Sequence, residues 1–114
     1  MIKSYSFGKM VIDNCQYKKD LIILSDKSVV HPWRRNAGHR LVMADLEPFI
    51  DIFPAIFVVG TGKFGMMKPD PNFCSDLESE GIQLVIFPTK KAVDQYNNLL
   101  GQNKDVAACF HLTC

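Results

Sequence analysis

The sequence predicts a single α/β domain over residues 1–114 with a mostly parallel central sheet. A strand, helix, strand, helix, strand order between residues 55 and 112 favours parallel neighbours joined by right-handed crossovers. The run Ala-Ile-Phe-Val-Val over residues 55–59 has no polar face, which indicates a sheet covered on both sides. The length of 114 residues and a hydrophobic fraction of 47% suit one domain with one core.

The first third of the chain is predicted to form strands. Residues 4–12 are expected to make a hairpin that turns near Gly8. Two further strands are predicted over residues 17–24 and 28–31, and residues 33–39 form a polar loop. These strands can cover the part of the central sheet that the helices leave open.

Three helices are predicted in the rest of the chain, because apolar residues recur there at helical spacing. Their N-caps and ends are Asp45 and Pro54, Asp70 and Gly81, and Thr89 and Gly101. Strands over residues 55–59, 82–87 and 106–112 separate and follow the helices.

Residues 60–65 contain the pattern G-x-G-x-x-G directly after an apolar strand. A dinucleotide-binding turn requires a helix that opens at once, so that its amides point at the pyrophosphate. Here Pro69 and Pro71 remove amide donors, and the next helix does not begin before Asp70. The following strand also lacks a terminal acid for a ribose. We therefore expect no nucleotide cofactor.

The loops after two strands predict a pocket for a small anionic ligand. The segment Gly60-Thr61-Gly62 and the residue Thr89 follow consecutive strands, and parallel strands would bring both to one carboxyl edge. Thr89 opens a helix whose amides and dipole favour an anion, although it could equally be a helix cap alone. The residues expected to supply charge are Arg34, Arg35, His39 and His111.

A second group of residues suits either a ligand or a protein interface. Arg34 and Arg35 beside Trp33 could bind a carboxylate or phosphate bidentately. The same residue types are enriched at interfaces, and Trp33 could also lie at the edge of the core. Met66 and Met67 suit an adaptable protein contact, unless they fold back on the core.

The pattern Cys109-x-His111-x-x-Cys114 resembles a metal site but provides only three local ligands, whereas structural zinc sites use four. A nucleophile and base could be drawn from His39, His111 and Cys114, yet no oxyanion-stabilising group accompanies them. We therefore expect no metal, no cofactor and no catalytic residue.

Composition excludes several classes of function. The net charge of +1 does not suit a general nucleic-acid-binding domain. No apolar run is long enough to span a bilayer, and because Met1-Ile2-Lys3-Ser4-Tyr5 lacks a basic region followed by an apolar run, we expect no export signal. The four cysteines are accordingly expected to be reduced thiols in a cytoplasmic protein.

The charge is nevertheless uneven along the chain. Residues 1–40 carry eight Lys and Arg against three acids, whereas the remaining residues carry five against nine. This distribution fits a basic face for an acidic ligand or partner, and it also fits a solvated surface with its charges spread out.

The chain contains, in order, Ser6-Phe7-Gly8, Gly38-His39, Gly60-Thr61-Gly62, Thr89 with Ala92-Val93 and Tyr96-Asn97, and Phe110-His111-Leu112-Thr113-Cys114. Their order and spacing resemble a family of small α/β proteins first described from a methanogenic archaeon. That family includes an animal adipogenesis-associated protein and a mitochondrial assembly factor of respiratory complex I. The resemblance implies a three-layer fold, with helices on one face of the sheet and a β-hairpin region plus a helix on the other. It transfers no catalytic residue.

Two functions follow from these patterns. The first is a non-enzymatic protein that acts through protein contacts, as an assembly or accessory factor. The second is a binder of, or enzyme on, a small anionic ligand at the Gly60-Thr61-Gly62 and Thr89 loops. The sequence leaves the protein partner and the oligomeric state open.

Overall fold

The computed structural model of the chain describes residues 1–114. It contains strands β1 (Ile2–Ser6), β2 (Lys9–Ile12), β3 (Cys15–Tyr17), β4 (Leu21–Ile23), β5 (Val29–Val30), β6 (Arg40–Leu41), β7 (Ile56–Gly60), β8 (Lys68–Pro69), β9 (Gln83–Phe87) and β10 (Val106–Phe110). The helices are α1 (Pro71–Ser79) and α2 (Thr89–Gly101), and a 3-10 helix spans Met43–Asp45.

The central sheet has five strands in the order β5-β4-β10-β7-β9. Strands β10, β7 and β9 run parallel to one another, which confirms the predicted parallel pairing of β7 with β9. The prediction of a mostly parallel sheet is wrong, because β4 pairs antiparallel with β10 and β5 pairs antiparallel with β4. The connection between β4 and β5 is a short hairpin, which can only return antiparallel, since a parallel neighbour requires a long crossover. The direction of β4 against β10 is not set by any such connection, because the two strands are far apart in the chain.

The remaining five strands form two smaller sheets. Strands β1, β2 and β3 form an antiparallel meander, which includes the predicted hairpin with Gly8 at a positive φ of 74° in its turn. Strands β6 and β8 pair in parallel over two residues each. This short pairing joins the loop before the 3-10 helix to the loop that follows β7.

Alternate residues of β7 and β10 belong to two different apolar clusters, as the two-residue period of a strand requires. One cluster contains Val58, Ala108, Phe110, the α2 side chains Ala92 and Tyr96, and Ile2 and Met10 of the meander. The other contains Phe57, Val59, Ala107 and the α1 side chains Phe73 and Leu77. The two helices therefore pack against side chains from opposite faces of the same strands.

The first of the three predicted helices does not form; the 3-10 helix and a series of turns take its place. The observed helical turn begins earlier than predicted, at Met43, so that Pro48 falls beyond its first turn. There Pro48 has no N–H to donate to the carbonyl of Ala44, and an α-helix that begins at Met43 cannot continue through it. The carboxylate of Asp45 instead accepts hydrogen bonds from the backbone amides of Asn36 and Val42, at 3.1 and 3.0 Å. Asp45 thus organises the preceding loop rather than capping a helix after it.

The second predicted helix begins as expected, since Asp70 is the N-cap of α1 and its side chain accepts from the Asn72 amide at 2.8 Å. Neither α-helix has the length and the apolar run that crossing a membrane would require.

Candidate functional site

The topology brings three distant segments to the carboxyl edge of β7, β9 and β10. Because β4 runs antiparallel to β10, Leu21 at its amino end pairs with Phe110 at the carboxyl end of β10. This register places Asp20 beside His111. Strand β5 returns to the same edge, and the loop that follows it carries Arg35.

Asp20, Arg35 and His111 form a charged cluster at this edge. The Oδ2 atom of Asp20 lies 2.8 Å from Nη2 of Arg35 and 2.7 Å from Nδ1 of His111. Its Oδ1 atom accepts from the backbone amide of Leu112 at 2.8 Å. Nη2 of Arg35 also lies 3.1 Å from Nδ1 of His111. An ionised carboxylate only accepts hydrogen bonds, so the shorter contact with Asp20 places the imidazole proton on Nδ1, and the approach of Nη2 to this nitrogen is then a contact between two donors and not a hydrogen bond. The side chains of Asp20, Arg35 and His111 are only 16%, 4% and 8% exposed.

The cluster holds Asp20 in its ionised form. Burial by itself would raise the pKa of the Asp20 carboxyl, since it disfavours the charge. Hydrogen bonds from His111, from the Leu112 amide and from Arg35 outweigh burial, and they place the pKa of Asp20 below its usual value. Asp20 therefore compensates part of the positive charge at this edge at all physiological pH values.

Arg35 is fixed in place by more than its ion pair. Its Nε and Nη2 atoms donate to the carbonyl of Gly38 at 3.0 and 2.7 Å. Its guanidinium carbon lies 4.8 Å from the centre of the Trp33 ring, a cation–π contact. Trp33 is itself buried, and its indole N–H donates to the carbonyl of Asp45 at 2.9 Å. These contacts hold the guanidinium of Arg35 in one position.

Two buried polar atoms of the cluster make no hydrogen bond within the protein, namely Nη1 of Arg35 and Nε2 of His111. The His39 ring packs edge-on against His111, with ring centres 5.6 Å apart. Unsatisfied buried polar atoms are uncommon in proteins and costly to maintain. These two are the only buried side-chain nitrogen or oxygen atoms of the chain without a hydrogen-bond partner, so the cluster is the least completely hydrogen-bonded part of the interior.

A basic cavity of about 390 Å³ opens beside the cluster. Its lining residues are Lys18, Lys19, Asp20, Pro32, Trp33, Arg34, Arg35, Gly38 and Thr113. Four of them are cationic, and the single carboxylate is the one already paired with Arg35 and His111. The field in the cavity therefore favours negatively charged groups.

The glycine rim, which we define as Gly60, Thr61, Gly62 and Thr89, lies at the same edge but is filled. The Thr89 hydroxyl donates to the carbonyl of His111 at 2.6 Å and accepts from the Gly62 amide at 2.8 Å. A Cβ added to Gly60 would lie 2.5 Å from Cδ1 of Phe110. The prediction that Thr89 caps α2 is wrong, because its hydroxyl binds these groups while the preceding proline occupies the N-cap.

The rest of the G-x-G-x-x-G loop holds the chain's own residues 111–114. The amides of Lys63 and Met66 donate to the carbonyls of Thr113 and Cys114, at 2.7 and 2.9 Å. The hydroxyl of Thr61 donates to a carbonyl at the end of β9, at 3.2 Å. Amides that would contact a phosphate in a nucleotide-binding turn are thus already occupied, and α1 begins well beyond the loop.

The residues predicted to bind a ligand fall into two groups. One group surrounds the cluster and the basic cavity: Arg34, Arg35, His39 and His111. The other group forms the filled rim: Gly60, Thr61, Gly62 and Thr89. The two groups are neighbours. In the first group Arg34 and His39 are exposed and Arg34 and Arg35 line the cavity, whereas the side chains of Arg35 and His111 are almost as buried as the rim.

The residues predicted to form an interface also separate. Trp33 is 2% exposed and Met67 is fully buried, so neither side chain offers surface to a partner. Both belong to the apolar cluster that also contains α1 side chains. Only Met66, at 49% exposed, has the accessibility that was expected of all three.

Sequence reasoning missed the residues that precede β4. Lys18, Lys19 and Asp20 directly precede an apolar strand, and an antiparallel direction for that strand would have placed them at the carboxyl edge of β7, β9 and β10. The signal was present as two lysines and an acid at a strand terminus. Interpreting this signal requires the direction of β4, which is set by its pairing with β10. Ile23 pairs with Ala108, which lies 85 residues further along the chain.

Cys109 is fully buried in the central sheet, as expected for a core cysteine. Burial strongly raises the pKa of its thiol, while the charge of Arg35 opposes this increase. No three His, Cys, Asp or Glu side chains come close enough together to hold a metal ion.

A family model described as "Protein of unknown function (DUF498/DUF598)" matches residues 2–111. The chain belongs to this family. The match spans the meander, the charged cluster and the whole central sheet.

Solved structures of similar proteins have the same fold as this DUF498/DUF598 chain. A conserved hypothetical protein, PH1505 of Pyrococcus horikoshii, superposes with a TM-score of 0.87 at 26% identity, covering 100% of this chain and 99% of that one. The protein MT938 of Methanothermobacter gives a TM-score of 0.82 at 23% identity, with 100% and 98% coverage. A Bordetella pertussis protein described as an Mth938-like domain gives 0.67 at 18% identity, with 98% and 85% coverage. These descriptions assign no reaction.

Proposed function

We propose that the protein binds a small ligand bearing a carboxylate or phosphate in the basic cavity. The observation that carries this proposal is Arg35, a side chain only 4% exposed whose Nη1 donor has no partner in the protein. An anionic oxygen is the natural acceptor for a buried guanidinium donor, and such charge-assisted hydrogen bonds are stronger than neutral ones.

The surroundings of Arg35 support an anion rather than a neutral polar ligand. Arg34 is exposed and lines the same cavity, so a second guanidinium is available for bidentate contact. Lys18 and Lys19 add charge at the mouth without the fixed geometry of arginine. Asp20 offsets only part of this charge, because it supplies one negative charge against the four cationic side chains of the cavity.

The proposed activity is binding without catalysis. The Asp20–His111 contact has the geometry of a carboxylate that orients an imidazole, with Nδ1 of His111 2.7 Å from the carboxylate. A nucleophilic mechanism also needs a hydroxyl or thiol hydrogen-bonded to the other ring nitrogen, and Nε2 of His111 has no such partner. The site therefore offers recognition groups but no complete reacting set.

The test uses inorganic phosphate as the probe and the thermal midpoint as the readout. Phosphate that binds the folded state raises the midpoint by mass action, relative to chloride at equal ionic strength. We expect Arg34→Ala to remove this increase, because the substitution removes a cavity guanidinium. The matched control is Arg40→Ala, since Arg40 is also exposed but pairs with Asp70 outside the cavity.

Three results would contradict the proposal. Phosphate could fail to raise the thermal midpoint of the wild type, it could raise that of Arg34→Ala by the same amount, or the increase could be lost equally in Arg34→Ala and Arg40→Ala. Native mass spectrometry of freshly purified protein gives an independent reading, because a retained small molecule appears as an added mass. Amide shifts at Gly38 and Thr113 during a phosphate titration would locate binding in the cavity.

A second candidate function is a protein contact, as an assembly or accessory factor of the kind that the family resemblance implies. An exposed apolar patch supports it. Phe7 in the β1–β2 turn is 50% exposed, Phe64 is 69% exposed, and their ring centres lie 6.5 Å apart. Met66 from the same loop as Phe64 is 49% exposed. Aromatic residues and methionine are enriched at interfaces.

This second function is tested by affinity capture with wild-type protein and with Phe64→Ser. We expect one defined partner, identified by mass spectrometry, that the substitution removes. Ile52→Ser is the matched control, since Ile52 is 87% exposed and lies outside the patch. Loss of the partner from both variants, or from neither, would argue against a role for the patch.

We also propose a three-layer single domain and a cytoplasmic location. A three-layer arrangement of one domain rests on the two apolar clusters that face opposite sides of β7 and β10. A cytoplasmic location rests on the cysteines Cys15, Cys74, Cys109 and Cys114, which are all free thiols. Limited proteolysis would test the single domain, and fractionation of cells would test the location.

A further inference from the structure

The two edges of the central sheet differ in how well they are protected. The β5 edge is two residues long and is followed closely by Pro32, and short length and proline both discourage pairing with another strand. The β9 edge is five residues long and pairs with β7 without a bulge. No strand lies on its other side.

Strand β9 carries none of the usual obstacles to edge pairing. Its sequence, Gln-Leu-Val-Ile-Phe, contains no lysine, proline or glycine. The Gln83 amide and the Phe87 carbonyl bind groups at the ends of β7, at 2.9 and 3.0 Å. Since N–H and C=O groups alternate in direction along a strand, those of Leu84 and Ile86 point away from β7. Ile86 is also 36% exposed.

We propose that two copies of this chain pair along β9 in the antiparallel direction, about a twofold axis at Val85. In this register Leu84 of one copy faces Ile86 of the other. Both residues have outward backbone groups, so each such pair exchanges two hydrogen bonds. The two five-stranded sheets would become one continuous sheet, with a self-complementary interface as twofold symmetry requires.

The charges at the two ends of β9 favour a second copy of the chain as the pairing partner, and they favour the antiparallel direction. Glu78 and Glu80 precede the strand, whereas Lys90 and Lys91 follow it, and all four are exposed. Antiparallel pairing of two copies sets the acidic end of each strand beside the basic end of the other. A parallel pairing would instead set like charges together, which opposes association.

The first test measures self-association by sedimentation equilibrium over a wide range of protein concentration. We expect a reversible dimer whose dissociation constant rises at least tenfold in Ile86→Lys. Ile52→Lys is the matched control, because Ile52 is an exposed isoleucine away from β9, and we expect no change. A protein that remains monomeric up to about millimolar concentration, the upper range of weak association, overturns the proposal. A dimer that Ile86→Lys leaves unchanged also overturns it.

The second test exchanges the charges. Glu80→Lys and Lys90→Glu should each weaken the dimer several-fold, because each substitution creates a like-charge contact across the twofold axis. The double variant should return to within about twofold of wild type, since it restores opposite charges with their positions exchanged. Failure of the double variant to recover would reject the antiparallel arrangement. Slowed exchange of the Leu84 and Ile86 amides on dimerisation would confirm the register.

Discussion

The glycine rim and the basic cavity lie at the same edge of the central sheet, yet they differ in whether their polar groups have hydrogen-bond partners inside the protein. In the rim, the Gly62 amide and the Thr89 hydroxyl are bound inside the protein. In the cavity, the side chain of Arg35 is nearly as buried as the rim, but its Nη1 donor has no hydrogen-bond partner. A glycine-rich loop after a parallel strand is therefore not a ligand site in itself. What matters is whether the rest of the chain already uses its donors.

The largest expected effect is in the rim. Gly62 has a positive φ of 103°, and a Cβ there would lie 2.4 Å from the backbone carbonyl carbon of Cys114. Both strain and overlap oppose a side chain, so we expect Gly62→Ala to lower the free energy of unfolding by about 3 to 4 kcal/mol. Urea unfolding measures this. Gly38→Ala is the control, because no atom lies within 4 Å of its added Cβ, and a loss of similar size there would show that the comparison is wrong.

The next effect is in the charged cluster. Asp20→Asn removes the charge that faces Arg35 and His111, and we expect a loss of about 2 kcal/mol, below the full cost of breaking a buried ion pair because Asp20 is partly exposed. Urea unfolding at neutral pH measures the loss. Equal stability of the variant and wild type would show that the cluster contributes nothing to the fold.

The same cluster predicts a dependence on pH. The pKa of Asp20 is lower in the folded protein than in the unfolded chain, so its contribution is fully present above the unfolded pKa of about 3.9 and is lost as the pH falls through the folded pKa. We expect the stability difference between wild type and Asp20→Asn to shrink in that acidic window. Unfolding curves at a series of acidic pH values would show this, and a difference that stays constant would contradict the assignment.

A smaller effect separates the rim from the cavity. Thr89→Val keeps the shape of the side chain but leaves the Gly62 amide and the His111 carbonyl without their partner, at a cost of about 1 to 2 kcal/mol. We expect the increase in thermal midpoint with phosphate to remain in this variant. Its disappearance would indicate that the ligand reaches the rim after all.

The smallest effect on stability belongs to the cavity mouth. Arg34 is exposed, so Arg34→Ala should change the free energy of unfolding by less than about 0.5 kcal/mol. The same variant should nevertheless lose the response to phosphate. Stability loss without ligand loss in Thr89→Val, and the reverse in Arg34→Ala, would establish that the rim supports the fold and the cavity binds. The opposite pattern would exchange these roles.

Much of the local structure could be predicted from the sequence. The Gly8 hairpin, the cap at Asp70 and the parallel pairing of β7 with β9 follow from turn chemistry, capping and the alternation of strand and helix. The absence of the first predicted helix could not be foreseen, because its apolar spacing is typical of a helix and the effect of Pro48 depends on where the helical turn begins. The candidate site was predicted only in part: Arg34, Arg35, His39 and His111 were chosen for their chemistry, whereas Asp20 depended on an unknown strand direction.

The sequence by itself determined the strands of the first hairpin and of the central sheet and two of the helices, because hydrophobic period and caps act over a few residues. The short strands β3, β6 and β8 were not predicted. It also supplied the basic side chains and the glycines. Only the tertiary structure decided that β4 runs antiparallel beside β10, which brings Asp20 to His111 and Arg35. Only the tertiary structure also decided that residues 111–114 fill the loop after β7. Both outcomes depend on pairing between segments far apart in the chain, and no local pattern encodes which distant partner a strand or an amide will meet.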